Sequence, residues 1–360
     1  MEPQASGEDR IKPPRRVQDP LRPGSDEGLI LASDSQAERK NRERAILEMV
    51  YDVDRFDAVR ESESPDFALQ HHNQNECFGV EVTESYLTGS DARIRNISGY
   101  MSSLFAGGSA RHREDVDALK VRKATLTRAD GSGDEIIDVI SRKLPEVSAY
   151  VRMVADVIER KDQKVATYER NLSHVNLVIL DYGNRLITVS PEQFYPLFYT
   201  AELRKALAQT GFREVFFVTT LEKTRRVYVP LKTLFLVSEF YMFYWAQDEY
   251  QEDKKFDSIR TELELFVEFM LQQGVSIAFS ESADEGIELL WANCSILVND
   301  SGIVIRDHAN YALPRGICSS DKRSRDSLLD PPFLAFLEDF KKRNTFVTDT
   351  SVDVLKDSQT

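Results

Sequence analysis

The stretch from Pro65 to Glu84 restricts the fold of this chain more than any other. Pro65-Asp66-Phe67-Ala68-Leu69 reads as a short strand. The polar run Gln70-His71-His72-Asn73-Gln74-Asn75-Glu76 that follows has a composition favouring reversal over continuation. Cys77-Phe78-Gly79-Val80-Glu81-Val82-Thr83-Glu84 is then the returning strand. A period of two sets Phe78, Val80 and Val82 on one face and Gly79, Glu81 and Thr83 on the other. Burying an unpaired charge is expensive, so Glu81 needs a cation, a proton or water. Asp66 is the nearest group to share it. The expectation is a hairpin that directs two acids at one point.

The rest of the chain can be laid around this hairpin. Residues 1–36 are rich in Pro, Gly, Ser, Asp and Arg without apolar periodicity, the composition of a disordered tail. A helix is expected from Ala37, with Ile46, Met49, Val50, Val53 and Phe56 as its buried stripe. Glu43 lies on that stripe and faces inward, whereas Glu48 and Asp52 lean toward solvent. By itself Glu43 also reads as a surface acid favourable with the helix dipole.

Beyond the hairpin, Ser85 to Ala110 has the look of a loop with one short helix. Arg111, Arg113, Lys120, Arg122, Lys123 and Arg128 stand against Glu114, Asp115 and Asp117, a net of +3. Such a patch either lines a nucleic-acid groove or forms a solvated face balancing nearby acids. After the break at Asp130-Gly131-Ser132-Gly133, the sequence predicts a helix over 134–143 and a long helix over 146–170. The long helix carries Lys161, Lys164 and Tyr168, the last two one turn apart on one face.

Leu177 to Leu180 is a continuous apolar run, as expected of a central strand covered on both faces. Ser190 caps a helix that opens with Pro191 and runs to Leu207. Glu214 to Leu221 reads as a buried strand and Arg226 to Val229 as its hairpin partner. Helices and strands in this succession make an α/β protein.

The aromatic run Phe235 to Trp245 offers either base stacking or core packing. Past it the sequence predicts a helix over 256–273, a strand over 275–279, a helix over 284–293 and a hairpin of Ser295–Val298 with Ile303–Arg306. No catalytic constellation stands out in this C-terminal α/β region, residues 246–343. The tail after Asn344 has the composition of disorder.

Net charge is −14, which argues against a protein that coats nucleic acid without preference, because phosphate contacts need local Lys and Arg. An enzyme with a basic cleft remains compatible with it. The three cysteines are scattered and lack metal spacing, which points to reduced thiols and a cytoplasmic setting. The longest apolar stretch, Leu234 to Ala246, is too short to span a membrane, and no secretory signal opens the chain.

Pro65-Asp66 followed by Glu81-Val82-Thr83 resembles the PD-(D/E)xK, or restriction-endonuclease-like, nuclease superfamily. The resemblance covers about residues 38–230, so residues 37–245 are expected to form a nuclease-like domain with a central mixed sheet flanked by helices. It implies that Asp66 and Glu81, helped by the Val82 carbonyl, hold Mg2+ or Mn2+. The position where the family carries its motif lysine is Thr83. Lys164, with Lys161 second, is the expected substitute, and Glu43 is the acid that the first helix adds. The implied activity is that of a metal-dependent nuclease with nucleic acid as partner, compatible with a role in defence or repair. The implied assembly is a homodimer, or a complex with another protein through the C-terminal region. Thr83 and the acidic surface equally suit a protein that keeps the nuclease fold as a scaffold without the chemistry.

Overall fold

A computed structural model of the chain describes residues 36–72, 76–106, 112–127, 134–142, 146–168, 171–222, 225–250, 259–275, 277–282, 286–299, 302–307, 329, 331–344 and 356–357. The tail expected over residues 1–36 therefore lies, all but Gln36, outside the described residues, as does nearly all of the tail after Asn344. The chain divides into two compact units. Gly89–Lys143 belong to one, and Ser35–Thr88 with the chain from Leu144 onward form the other.

The larger unit opens with α1 (Gln36–Leu47), then a meander of β1 (Phe56–Glu61), β2 (Phe67–His71) and β3 (Cys77–Ser85). The chain next builds the smaller unit from α2 (Gly89–Asn96), α3 (Tyr100–Phe105), α4 (Asp115–Ala118), β4 (Leu119–Thr127) and β5 (Asp134–Arg142). It returns to the larger unit with α5 (Val147–Asp162), β6 (Leu172–Asp181), α6 (Pro191–Phe198), α7 (Ala201–Gln209), β7 (Val215–Leu221) and β8 (Arg225–Pro230). It finishes with α8 (Leu231–Tyr250), α9 (Ile259–Gln272), β9 (Ala278–Ser282), β10 (Gly286–Trp291), β11 (Cys294–Asn299), β12 (Gly302–Asp307) and α10 (Pro331–Arg343). Lys356–Asp357 adds a two-residue strand beside β8.

A mixed sheet of order β1-β2-β3-β6-β7-β8 forms the centre. The β1/β2, β2/β3 and β7/β8 pairs are antiparallel, and the β3/β6 and β6/β7 pairs are parallel. Helices flank it, as the α/β reading expects. The two faces follow from the period of two. Phe67, Leu69, Phe78, Val80, Val82 and Val178 pack under Ile46 and Leu47 of α1. Leu177, Ile179 and Phe217 pack on the other side with Val151, Val154 and Ile158 of α5. Consecutive β6 residues thus enter different cores, which is why that strand reads as one unbroken apolar run. Gly79 sits where β3 meets β2 and β6 most tightly. A Cβ there would stand 2.6 Å from Pro65 Cγ and 2.9 Å from Leu172 Cδ1.

A second sheet, β12-β11-β10-β9, is antiparallel throughout and packs with α8 and α9 around Phe266, Leu289 and Ile296. Glu239 of α8 ties the helices together, accepting from Tyr199 Oη at 2.8 Å, Arg204 Nη1 at 2.8 Å and Lys341 Nζ at 2.7 Å. Among the described residues no helix is long and apolar enough to cross a membrane.

Several elements differ from expectation. The first helix stops at Leu47, and Phe56 opens β1 rather than extending the helical stripe. Residues 134–142 are strand β5 rather than helix, because Ile136, Ile137, Val139 and Ile140 are β-branched and β4 supplies a partner over the whole length. Residues 286–291 are likewise strand, paired on both edges by β9 and β11. The expected strand at 275–279 begins later, at Ala278. The helix from Pro191 breaks at Tyr199, where Thr200 accepts from Leu203 N and starts α7. The long helix ends at Asp162, with a single 3-10 turn at Val165–Thr167 after it.

Candidate active site

The β2–β3 hairpin delivers both acids. Asp66 stands just before β2, after a cis Ser64–Pro65 peptide, and its Oδ2 accepts a hydrogen bond from Val82 N at 2.8 Å. This bond caps the edge of β3 that β2 has left, since pairing with β2 stops at Val80. A strand residue's N–H and C=O lie on the same edge, so the Val82 carbonyl opens toward the same side. Glu81 is 6% exposed, buried for a carboxylate. Its cation is Lys161, whose Nζ donates to Glu81 Oε1 at 2.7 Å from the last turn of α5. Thr83, two residues along β3, is half-buried on the same strand face.

Glu43 enters from α1. Lys40 Nζ lies 3.2 Å from Glu43 Oε2 and 3.9 Å from Asp66 Oδ1, and donates to the Ser62 carbonyl at 2.7 Å. Glu43 Oε2 is buried and takes part in no hydrogen bond among the described residues. The Asp66 carboxyl is pushed up to about 7, first by burial, then by the negative charge of Glu81 and, more weakly, Glu43. The Val82 N–H and Lys161 only partly oppose this. Tyr168, just after the 3-10 turn, is raised above the usual tyrosine range by burial and by Glu81 beside it.

The structure therefore brings together Asp66, Glu81, Val82, Thr83, Lys161 and Glu43. Lys164, the lysine preferred from sequence, is exposed and lies past the end of α5. The preference assumed a helix continuing to Arg170; once α5 ends at Asp162, only Lys161 projects from its last turn toward β3. Lys40 went unnoticed in the sequence, although it sits three residues before Glu43, a spacing that places both on one helix face.

Among the described residues no group of three or more His, Cys, Asp or Glu side chains is gathered to hold a metal ion. Mg2+ needs no such cage. It keeps several waters and binds through one or two carboxylates with substrate phosphates. Asp66, Glu81 and the Val82 carbonyl are hard oxygen donors of that kind. Lys40 beside Glu43 and Asp66, and Lys161 on Glu81, supply the positive charge at these acids. The residues fit Mg2+ or Mn2+.

The basic patch belongs to the smaller unit. Lys120, Arg122 and Lys123 are exposed on β4, and Arg113 is exposed ahead of α4; Arg111 lies outside the described residues. Lys123 faces Asp138 across the ladder, so part of its charge is offset. The unit's own anchor is Asp115, fully buried and bonded to Arg93, Ser90 and Tyr100.

Comparisons of the chain with family models, with curated proteins and with solved structures find no match.

Proposed function

We propose that the protein is a metal-dependent phosphodiesterase acting on nucleic acid, built on a restriction-endonuclease-like core. The observation that carries this reading is the meeting of Asp66 and Glu81 across one hairpin, with Lys161 2.7 Å from Glu81. It supplies the two acids and the lysine of the motif, with the lysine brought by a helix instead of by Thr83. The mixed central sheet flanked by helices supports the same reading.

Asp66, Glu81 and the Val82 carbonyl would hold the ion, with Glu43 behind them. When bound, Mg2+ supplies Lewis-acid polarisation of a phosphate and a lowered pKa for water. Lys161, which donates to Glu81 at 2.7 Å, would donate a hydrogen bond to the water or to the developing charge on phosphate. Thr83, on the same strand face, would hydrogen-bond in or just behind the ion's shell. Lys120, Arg122 and Lys123 offer charge for the phosphate backbone. A cytoplasmic setting and assembly through the C-terminal region go with this reading.

The test combines calorimetry with cleavage of labelled single- and double-stranded DNA and RNA. Wild type should bind Mg2+ or Mn2+ and cleave one of these substrates. Glu81→Gln should lose both properties, and Lys161→Met should keep metal binding but lose turnover. An intact fold that binds no ion at millimolar concentration and cleaves nothing refutes the proposal.

One observation favours a second reading, a scaffold without chemistry. The Lys161–Glu81 pair is already closed, and Lys40 stands between Glu43 and Asp66, as in a structural ion network. In a scaffold, Glu81→Gln leaves partner binding unchanged.

A further inference from the structure

Lys40 stands beside the acid pair, and the proposed chemistry gives it no part. It lies in the first half of α1, and α1 is tied at that end to the turn between β1 and β2. Gln36 Nε2 and Arg39 Nη2 donate to the Glu63 carboxylate at 3.4 Å and 3.2 Å. The turn itself is closed by Ser62 N, which donates to the Asp66 carbonyl at 2.8 Å. Lys40 Nζ reaches into it and donates to the Ser62 carbonyl at 2.7 Å. Its side chain is only 12% exposed, and a lysine is so covered only where partners hold its charge.

Among the described residues four oxygens surround that ammonium. Besides the Ser62 carbonyl they are Glu43 Oε2 at 3.2 Å, Glu63 Oε1 at 3.7 Å and Asp66 Oδ1 at 3.9 Å. Carboxylates joined by a backbone carbonyl are the donors that a hard divalent cation takes from protein. A surface lysine pairs with an acid loosely and stays in solvent. Here Glu43, Glu63 and Asp66 converge on one ammonium, which makes a cation's place filled from within the chain.

The two sides of that place differ. At 3.9 Å, Asp66 Oδ1 lies beyond hydrogen-bond reach of Nζ, so its lone pairs stay available to an ion shared with Glu81. Glu43 Oε2 is buried beside the ammonium. An ion bridging Glu43 and Asp66 would have to stand where Lys40 Nζ stands, and two cations at such a distance repel strongly where solvent is largely excluded.

We infer that Lys40 is the resident second cation of the site: its ammonium takes the place between Glu43 and Asp66, so that the protein loads one divalent ion, at Asp66 and Glu81, and not two. This rests on the reading of Asp66 and Glu81 as a metal site. Mn2+ uptake by the full chain, followed by calorimetry and by loss of the free-ion signal in electron paramagnetic resonance, counts the ions without any substrate. Wild type should take up one Mn2+, and so should Lys40→Arg, which keeps the charge. Lys40→Ala opens the place and should take up two, and adding Glu43→Gln to it should return the count to one. Circular dichroism checks that each variant is folded. A folded Lys40→Ala protein with the same count as wild type overturns the inference, as does a second ion that persists when Glu43→Gln is added. The metal-site reading fails separately, if wild type takes up no ion. In that event a Glu43-dependent ion gained by Lys40→Ala upholds the place assigned to Lys40, and no ion in either protein overturns both.

Discussion

Asp66 makes the metal-free protein lose stability as pH rises toward neutrality. Its carboxyl moves from an ordinary value of 3.8 to about 7 on folding. Between these values the folded protein keeps a proton on Asp66 that the unfolded chain has released. Stability therefore falls with pH across this window, because the folded state binds more protons. Below about pH 4 the carboxyl is neutral in both states and the cost is absent. Above about pH 7 it is charged in both, and the cost is complete. A shift of about 3 units at about 1.4 kcal/mol each gives an upper value of about 4 kcal/mol.

The side chain is 14% exposed, so solvent screening trims this figure without removing it. Asp66→Asn keeps an acceptor for Val82 N but cannot ionise. Urea unfolding of both proteins in a chelator, from pH 4 to pH 8, isolates the effect, since the other titrating groups cancel in the difference. Wild type should lose about 2–4 kcal/mol relative to Asp66→Asn across the range. At pH 8, Mg2+ at about a hundred times its Kd should return about 2.7 kcal/mol to wild type only. A difference that is flat with pH, or that rises, refutes the reasoning.

Two further outcomes follow from the ion pairs. Lys161→Met leaves the buried Glu81 without its cation and should cost about 3 kcal/mol, while adding Glu81→Gln should recover most of that. Urea denaturation of the four proteins in this cycle checks it, and effects that add within about 0.5 kcal/mol would show the pair to be uncoupled. At Glu239, burial works to raise the carboxyl, but Lys341 and Arg204 outweigh burial and hold it below the usual range. Glu239→Gln should therefore destabilise by about 3 kcal/mol at pH 7, with the deficit shrinking as acid protonates the wild-type group; thermal unfolding at pH 7 and pH 3 would reveal a constant deficit if this is mistaken.

What the sequence made legible was local. The β2–β3 hairpin announced itself by alternation about a polar turn, and β6 by its apolar run. Ser190 with Pro191 marked the start of α6, where the capping box with Gln193 is present. The misreadings came from partners far along the chain. The break at Asp130-Gly131-Ser132-Gly133 suggested a helix starting at Asp134, and only the ladder with β4 decides for a strand. Gly286 to Trp291 has no alternation, since strands on both sides hold it. The acids of the site were visible because Asp66 and Glu81 sit on one hairpin. The choice of Lys161 over Lys164 was not, because it turns on where α5 ends, at Asp162, whose carboxylate accepts from Thr210 and Gly211 far along the chain.

The insertion of Gly89–Lys143 between β3 and α5 separates the assembly of the site in time. Asp66 and Glu81 meet as soon as a short hairpin closes, whereas Lys161 is 80 residues from Glu81 along the chain. Closing a loop costs entropy that grows with its length, about 0.6 kcal/mol per doubling. Within the smaller unit Ser90 is bonded to Asp115, and Leu119 pairs with Arg142. Once folded, that unit draws its own ends together and takes much of its length out of the loop. A chain emerging during synthesis thus carries Asp66 and Glu81 side by side, with Lys40 near Asp66, before Lys161 is there to pair with Glu81. The inserted unit sets how long that exposed stage lasts.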